Sequence, residues 1–139
     1  MERLTATPLM ETPLTPLCAP DIANTITSPE DFDGQNLFRS YRAGEWPSWF
    51  AKQKLSCPDL RGPIFASSVA MAEMAARGHG IALLPSEMFK SYIQSGRLVT
   101  PFTAEITTGR YWLTCMKSRE KSPAMAMLED WLVKNINGL

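Results

Sequence analysis

The sequence predicts an α/β fold, and the segment of residues 65–85 carries that prediction. Ser67 and Ser68 precede a stretch rich in Ala, Met and Glu, which are good helix formers, and either serine can cap the free N–H groups of a helix start. Gly78 marks the end of this helix. The short apolar run that follows, residues 80–85, is bounded by Gly and Pro and is typical of a strand buried on both faces. A helix followed directly by a buried strand indicates an α/β protein.

Prolines and caps define the elements that precede this segment. Residues 1–20 contain four prolines, which exclude a helix and predict extended backbone. The predicted elements are short strands near 9–10 and at 14–19, a helix at 21–26, a capped turn at 28–31, and strands at 36–41 and 63–65. A helix beginning near Pro47 would place Trp46, Trp49 and Phe50 on one face, so these side chains are expected in the core.

The elements after residue 85 follow from the same signals. A helix at 86–93 is expected, with Ser86 as its cap and with Met88, Phe89 and Tyr92 turned inward. A brief strand at 98–99 follows.

The last two elements are a strand and a helix. Residues 110–116 are aromatic and β-prone, which predicts a strand. Ser122 is expected to cap the final helix, with Pro123 in its first position and Gly138 at its end. The apolar residues that recur at helical spacing are Met127, Leu128, Trp131, Leu132 and Ile136.

Composition excludes several classes of protein. The 139 residues suffice for one ordinary domain, and 14 basic residues balance 14 acidic ones, so the basic excess of a nucleic-acid-binding surface is absent. Cys18, Cys57 and Cys115 are widely spaced and form no CxxC pair, which predicts reduced thiols and no zinc site. No apolar run reaches the roughly 20 residues of a membrane helix, and no secretory signal is evident. We therefore expect a soluble, cytoplasmic protein without a metal or cofactor.

Few residues are candidates for chemistry. His79 is the single histidine and stands between two glycines without an acidic neighbour in sequence, so a structural or solvent role is expected and no catalytic arrangement is predicted. The helix start at Ser67 and Ser68 could bind a carboxylate or phosphate, but simple capping carries equal weight. Nothing in the local sequence of Tyr111 separates a ligand-binding hydroxyl from a structural one. An enzyme is therefore not expected.

Five segments, in order, resemble the effector-binding domain of LysR-type transcriptional regulators, and the resemblance covers the whole chain. They are residues 13–23, 38–46, 65–85, 96–102 and 109–114. The tail at 111–125, continuing to 131–133, resembles most closely the branch that regulates β-lactamase genes, followed by the glycine-cleavage regulators.

The resemblance implies a periplasmic-binding-protein-like fold of type 2, in which two α/β subdomains enclose a ligand cleft. Residues 1–13 would cross over from the first subdomain, 14–106 would form a complete second subdomain, and 107–139 would return to the first, which would be partial. A helix-turn-helix domain, a dimerising linker helix and the front of the first subdomain have no counterpart. We therefore expect a piece of a longer regulator, with apolar surface left open around residues 110–116.

The resemblance also implies site residues. In that branch the second serine of a Phe-Asp-Ser-Ser motif contacts the effector, and Ser68 matches it, with Ser67 beside it. A tyrosine of a Gly-x-Tyr-Trp-Leu-Thr segment lines the same site, and Tyr111 matches it. Ala66 departs from the pattern, which has an acid there. The implied effector is a muropeptide or a nucleotide-linked muramyl peptide.

The sequence thus predicts the ligand-sensing part of a LysR-type regulator, which would reach DNA only through a helix-turn-helix domain absent from these residues and would act as a homo-oligomer. The alternative is a fragment of a solute-binding protein of a transport system, because the two classes share their architecture.

Overall fold

The computed structural model describes residues 3–136. Its strands are β1 (Leu4–Glu11), β2 (Leu14–Leu17), β3 (Leu37–Ser40), β4 (Ile64–Phe65), β5 (Ile81–Pro85) and β6 (Arg110–Met116). Its helices are α1 (Pro20–Ala23), α2 (Glu45–Lys52), α3 (Ser68–Ala76), α4 (Lys90–Gln94) and α5 (Pro123–Ile136), and 3-10 turns lie at Pro29–Phe32 and Ser86–Phe89.

The chain divides into two compact units. Residues 13–108 form the central unit, and residues 1–12 with 109–139 form the terminal unit. The sequence predicted a second subdomain at residues 14–106 and parts of a first subdomain at 1–13 and 107–139. That the central and terminal units correspond to these subdomains stays a prediction.

A four-stranded sheet organises the central unit, in the order β2-β5-β3-β4. β5 pairs parallel with β3 and antiparallel with β2, and β3 pairs parallel with β4. All five residues of β5 are buried, which confirms the predicted buried strand. Successive side chains of β5 point to opposite faces of the sheet, so Ile81 joins one core cluster and Ala82 the other.

Aromatic side chains fill the core on one face of this sheet. Trp46, Trp49 and Phe50 of α2 are buried and surround Phe32, which confirms their predicted place in the core. Each indole N–H finds an acceptor: Trp46 Nε1 donates to the Phe38 carbonyl at 2.7 Å and Trp49 Nε1 to the Ala104 carbonyl at 2.9 Å. Burial therefore leaves no indole N–H unsatisfied.

The second cluster lies against α3 on the other face. Met71, Ala72 and Ala75 form its buried stripe and pack with Phe38 and Leu84 of the sheet. Gly78 follows α3 as predicted, and its φ is +84°. Glycine adopts this left-handed backbone conformation at little energetic cost because it has no Cβ.

The segment after β5 differs from the predicted helix. Pro85 and not Ser86 occupies the N-cap position of a 3-10 turn at Ser86–Phe89, and α4 is a separate short helix. In this turn Phe89 is buried as predicted, whereas Met88 is 52% exposed, so the inward placement predicted for Met88 was wrong.

Other boundaries also shift. β1 runs from Leu4 to Glu11, longer than the predicted piece at residues 9–10, with an irregularity between Pro8 and Met10. The strand expected at 98–99 is a single bridge between Cys18 and Val99.

The terminal unit consists of the antiparallel pair β1 and β6 together with α5. β6 has the bounds predicted from its sequence. Ser122 caps α5 as predicted, because its Oγ accepts from the Met125 N–H at 3.2 Å. The predicted end of this helix at Gly138 lies outside the described residues. No helix within residues 3–136 has the length and apolarity needed to span a membrane.

Candidate functional site

The start of α3 carries two serines with different roles. Ser67 is the N-cap, with extended backbone, and its Oγ accepts from the Ala70 N–H at 3.3 Å. Ser68 is the first helical residue, and its side chain is exposed. Since the first N–H groups of a helix have no partner within it, the Ser68 hydroxyl and the amides beside it form a set of exposed donors.

The neighbouring strand ends at the same edge of the sheet. β3 and β4 run parallel, with Ser40 opposite Phe65, so the chain leaves both strands on the side where α3 begins. Ligands of α/β sheets bind outside the carboxyl ends of the strands.

A half-buried carboxylate at this edge was missed by the sequence reasoning. Ser40 Oγ donates to Glu45 Oε2 at 3.1 Å, and the Arg42 N–H donates to Ser40 Oγ at 3.0 Å. Burial raises the pKa of Glu45, and the hydrogen bond from Ser40 opposes that rise. The available signal was a run of polar residues directly after a strand.

A second polar cluster fixes α3 against α4. Tyr92 Oη donates to Glu73 Oε1 at 2.5 Å, and Arg97 Nη2 donates to Glu73 Oε2 at 2.9 Å while its guanidinium lies 4.7 Å from the centre of the Tyr92 ring. The hydrogen bonds from Arg97 and Tyr92 lower the pKa of Glu73. The cluster holds the helix whose first turn carries Ser67 and Ser68.

Tyr111 lies in the terminal unit, on β6 opposite Met10, and is 45% exposed. Ser67 and Ser68 are thus brought together in the central unit, and Tyr111 is placed on the other unit. The effector contacts predicted for all three stay predictions.

Within the described part of the chain, no group of three or more His, Cys, Asp and Glu side chains could hold a metal ion. His79 is exposed, and its carbonyl accepts from Asn36 Nδ2 at 3.1 Å. Burial raises the pKa of the Cys18 thiol to about 11, so this cysteine is a protonated core residue. None of these groups forms a nucleophile with a base.

The family model of the LysR substrate-binding domain matches residues 1–137. The chain belongs to this LysR family. The predicted family and its periplasmic-binding-protein-like α/β fold are therefore confirmed, and the comparisons give no support to a solute-binding protein of transport.

Regulators of the AmpR type are among the curated relatives of this LysR-family chain. The transcriptional activator AmpR of Rhodobacter capsulatus is 47% identical over 127 residues, which cover 91% of this chain and 44% of the relative. AmpR of Pseudomonas aeruginosa is 43% identical over 91% of this chain and 43% of its own length. The chain thus spans less than half the length of these relatives, which are transcriptional regulators.

Solved structures of AmpR effector domains match the chain closely. The effector domain of Pseudomonas aeruginosa AmpR has a TM-score of 0.92 and 41% identity, and the match covers 99% of this chain and 67% of that domain. The Citrobacter freundii effector-binding domain has a TM-score of 0.92 and 36% identity over 98% of this chain and 69% of its own. A further structure of the Citrobacter freundii domain carries three substitutions: threonine to valine, serine to alanine and tyrosine to phenylalanine. It is 34% identical to this chain with a TM-score of 0.92, and the match covers 98% of this chain and 70% of that domain.

Proposed function

We propose that the chain is the effector-sensing portion of an AmpR-like regulator of β-lactamase expression, and that its effector is a cell-wall muropeptide. The observation that carries the proposal is the combination of 47% identity to AmpR with a TM-score of 0.92 to an AmpR effector domain. The whole regulator would be a cytoplasmic homo-oligomer that binds DNA through a helix-turn-helix domain.

The start of α3 supports a ligand with carboxylates. Ser67 uses its hydroxyl to cap the Ala70 N–H, which leaves the Ser68 hydroxyl and the first amides of the helix as donors. Carboxylates are favoured at this position by those donors and by the helix dipole. A muramyl peptide carries such carboxylates, and its amides could also donate to the Glu45 carboxylate at the neighbouring strand end.

Sequence spacing supports Ser68 and Tyr111 as the effector contacts. In the substituted Citrobacter freundii domain, the replaced serine and tyrosine are separated by the same number of positions as Ser68 and Tyr111 are here. Each of those replacements removes a hydroxyl and leaves the remaining side chain nearly unchanged. We infer that Ser68 and Tyr111 carry the corresponding hydroxyls, and that Ser67 caps the helix on which Ser68 lies.

The mechanism would be a population shift. An effector that binds one arrangement of the regulator more tightly than another moves the equilibrium by the difference in the two affinities. Effector contacts that are made in one arrangement of the regulator and not in another would supply that difference.

Calorimetric titration tests the ligand class. The protein would be a hybrid in which this chain replaces the matching part of the Pseudomonas aeruginosa AmpR effector domain. We expect saturable binding of a muramyl pentapeptide and weaker binding of the same peptide with its terminal carboxylate amidated. A folded hybrid that binds neither peptide would contradict the ligand, and equal affinities would contradict the role given to the carboxylate.

A further inference from the structure

Three acidic side chains in the described part of the chain are half-buried, and they differ in their partners. Glu73 forms an ion pair with Arg97 at 2.9 Å, and Glu129 forms one with Lys121. Glu45 forms no ion pair with any residue that the structure describes, and its printed partner is a neutral hydroxyl. Because burial removes water from a carboxylate, a buried or half-buried one is normally paired with a cation. Glu45 is the exception.

The contacts of Glu45 hold its carboxylate in place without neutralising it. The Arg42 N–H donates to Ser40 Oγ at 3.0 Å, which leaves the Ser40 hydroxyl proton to donate to Glu45 Oε2 at 3.1 Å. Glu45 is also the first residue of α2, where the helix dipole favours a negative charge. Neither contact supplies a positive charge, and burial raises the pKa of Glu45 despite the nearby charge of Arg42. The carboxylate is therefore oriented and still lacks a cation.

The topology of the sheet places Glu45 beside a crevice. β3 and β4 are parallel neighbours, and the helices that follow them pack on opposite faces of the sheet. α2, which follows β3, contributes Trp46 to one core cluster, and α3, which follows β4, contributes Met71 to the other. Where the connections of two neighbouring strands diverge in this way, a crevice opens at their carboxyl ends, and ligands of α/β sheets bind there. Glu45 starts one of these helices and Ser68 the other, so the two residues flank the crevice.

We propose that Glu45 binds an ammonium group of the effector, so that a peptide with a free amino group is preferred over the same peptide without it. The inference rests on the proposed function, because it adds a contact to the same site. The donors at Ser68 would take a carboxylate of the peptide, and Glu45 would take its opposite charge. A muramyl peptide contains a diamino acid, and the side-chain amino group of that residue has the required charge and three N–H donors.

Two peptides and one substitution test the inference. The peptides are a muramyl pentapeptide with a free side-chain amino group on its diamino acid and the same peptide with that group acetylated. Calorimetric titration of the hybrid effector domain should show about 10-fold tighter binding of the free amine, because acetylation removes a hydrogen bond between charged groups. Glu45→Gln removes the negative charge and keeps an oxygen that can accept from Ser40. In this variant the two peptides should bind equally.

The same comparison separates charge from the bulk of the acetyl group. A preference caused by bulk alone would persist in Glu45→Gln, whereas a preference caused by the carboxylate would disappear. Glu30→Gln is the matched control, because Glu30 is an exposed carboxylate in the turn that precedes β3. This control should keep the 10-fold preference. Far-ultraviolet circular dichroism would verify that both variants are folded.

Two results would overturn the inference and leave the proposed function standing. One is equal binding of the two peptides by the unsubstituted hybrid, and the other is a preference that persists in Glu45→Gln. A hybrid that bound neither peptide would overturn the inference together with the proposed ligand.

Discussion

At the scale of single residues, Ser67 and Ser68 should have different roles: Ser67 stabilises α3, and Ser68 is the proposed effector contact. Only Ser67 caps α3, so Ser67→Ala should cost about 1 kcal/mol of unfolding free energy. Ser68→Ala should change that free energy little, because its side chain is exposed. Urea titration followed by the emission of the buried Trp46 and Trp49 measures both variants. Equal losses would contradict this division of roles.

The Glu73 carboxylate should make stability depend on pH. Its pKa in the folded protein is lowered, first by the Arg97 hydrogen bond and then by that of Tyr92. A lowered pKa contributes stability that is present above the ordinary glutamate pKa of about 4.3 and is lost as the pH falls through the folded value.

We therefore expect Glu73→Gln to be less stable than the wild type near neutral pH, with the difference shrinking as the solution is acidified below the ordinary glutamate pKa. Urea midpoints across this range would show it. Asp33→Asn, which changes an exposed carboxylate of the same unit, is the control. A constant difference between Glu73→Gln and the wild type would be inconsistent with the lowered pKa.

Residue-scale prediction succeeded where partners are close in sequence. The caps at Ser67 and Ser122 act on N–H groups three residues away, so the sequence predicted Ser122 directly and limited the cap of α3 to Ser67 or Ser68. The bond between Glu73 and Tyr92 depends on the packing of two helices and could not be predicted. The same holds for Trp49, whose indole acceptor is at Ala104.

At the scale of elements, two glycines beside α3 should differ in their tolerance of a side chain. A Cβ at Gly78 would meet no atom within 4 Å, so Gly78→Ala should cost only the left-handed backbone, about 1 kcal/mol. A Cβ at Gly80 would lie 2.4 Å from the Asn36 carbonyl oxygen and 2.6 Å from the Phe38 ring, so Gly80→Ala should cost about 3 kcal/mol. Denaturant midpoints of the two variants compare them, and a milder effect at Gly80 would refute the close approach of β5 to β3.

Elements with strong local signals were predicted with their bounds nearly intact. β6 is rich in aromatic residues, and α5 begins with a serine cap and a proline, so local preference and tertiary packing agree. The segment after Pro85 has only the weak signal of Ser86, and it forms a 3-10 turn in which Phe89 is buried. Sequence patterns do not distinguish such a turn from a helix.

At the scale of the whole molecule, the two units should differ in stability. The core lies in the central unit, whereas the terminal unit has no buried residue in its described part. Amides protected only by an exposed ladder open more readily than those of a buried strand. Hydrogen exchange in the isolated chain should therefore be faster for the amides of β6 than for those of β5. Equal protection of the two strands would contradict the difference in burial between the two units.

The family was recognisable from the order of five sequence segments, whereas the candidate site was only partly so. Ser67 and Ser68 are signalled by the helix start that they form. Tyr111 has no local signal, because its proposed role depends on another part of the chain. Glu45 was overlooked because its burial is a tertiary property.

The central claim is that Ser68 and Tyr111 bind the effector of an AmpR-like regulator. The most direct measurement is the affinity of the hybrid effector domain for a muramyl pentapeptide, with Ser68→Ala and Tyr111→Phe compared with the control Ser91→Ala and with the wild type. Loss of a hydrogen bond to a charged group should weaken binding by roughly 10-fold or more in each site variant, and the control should bind as the wild type does. Unchanged affinity in both site variants would contradict the claim.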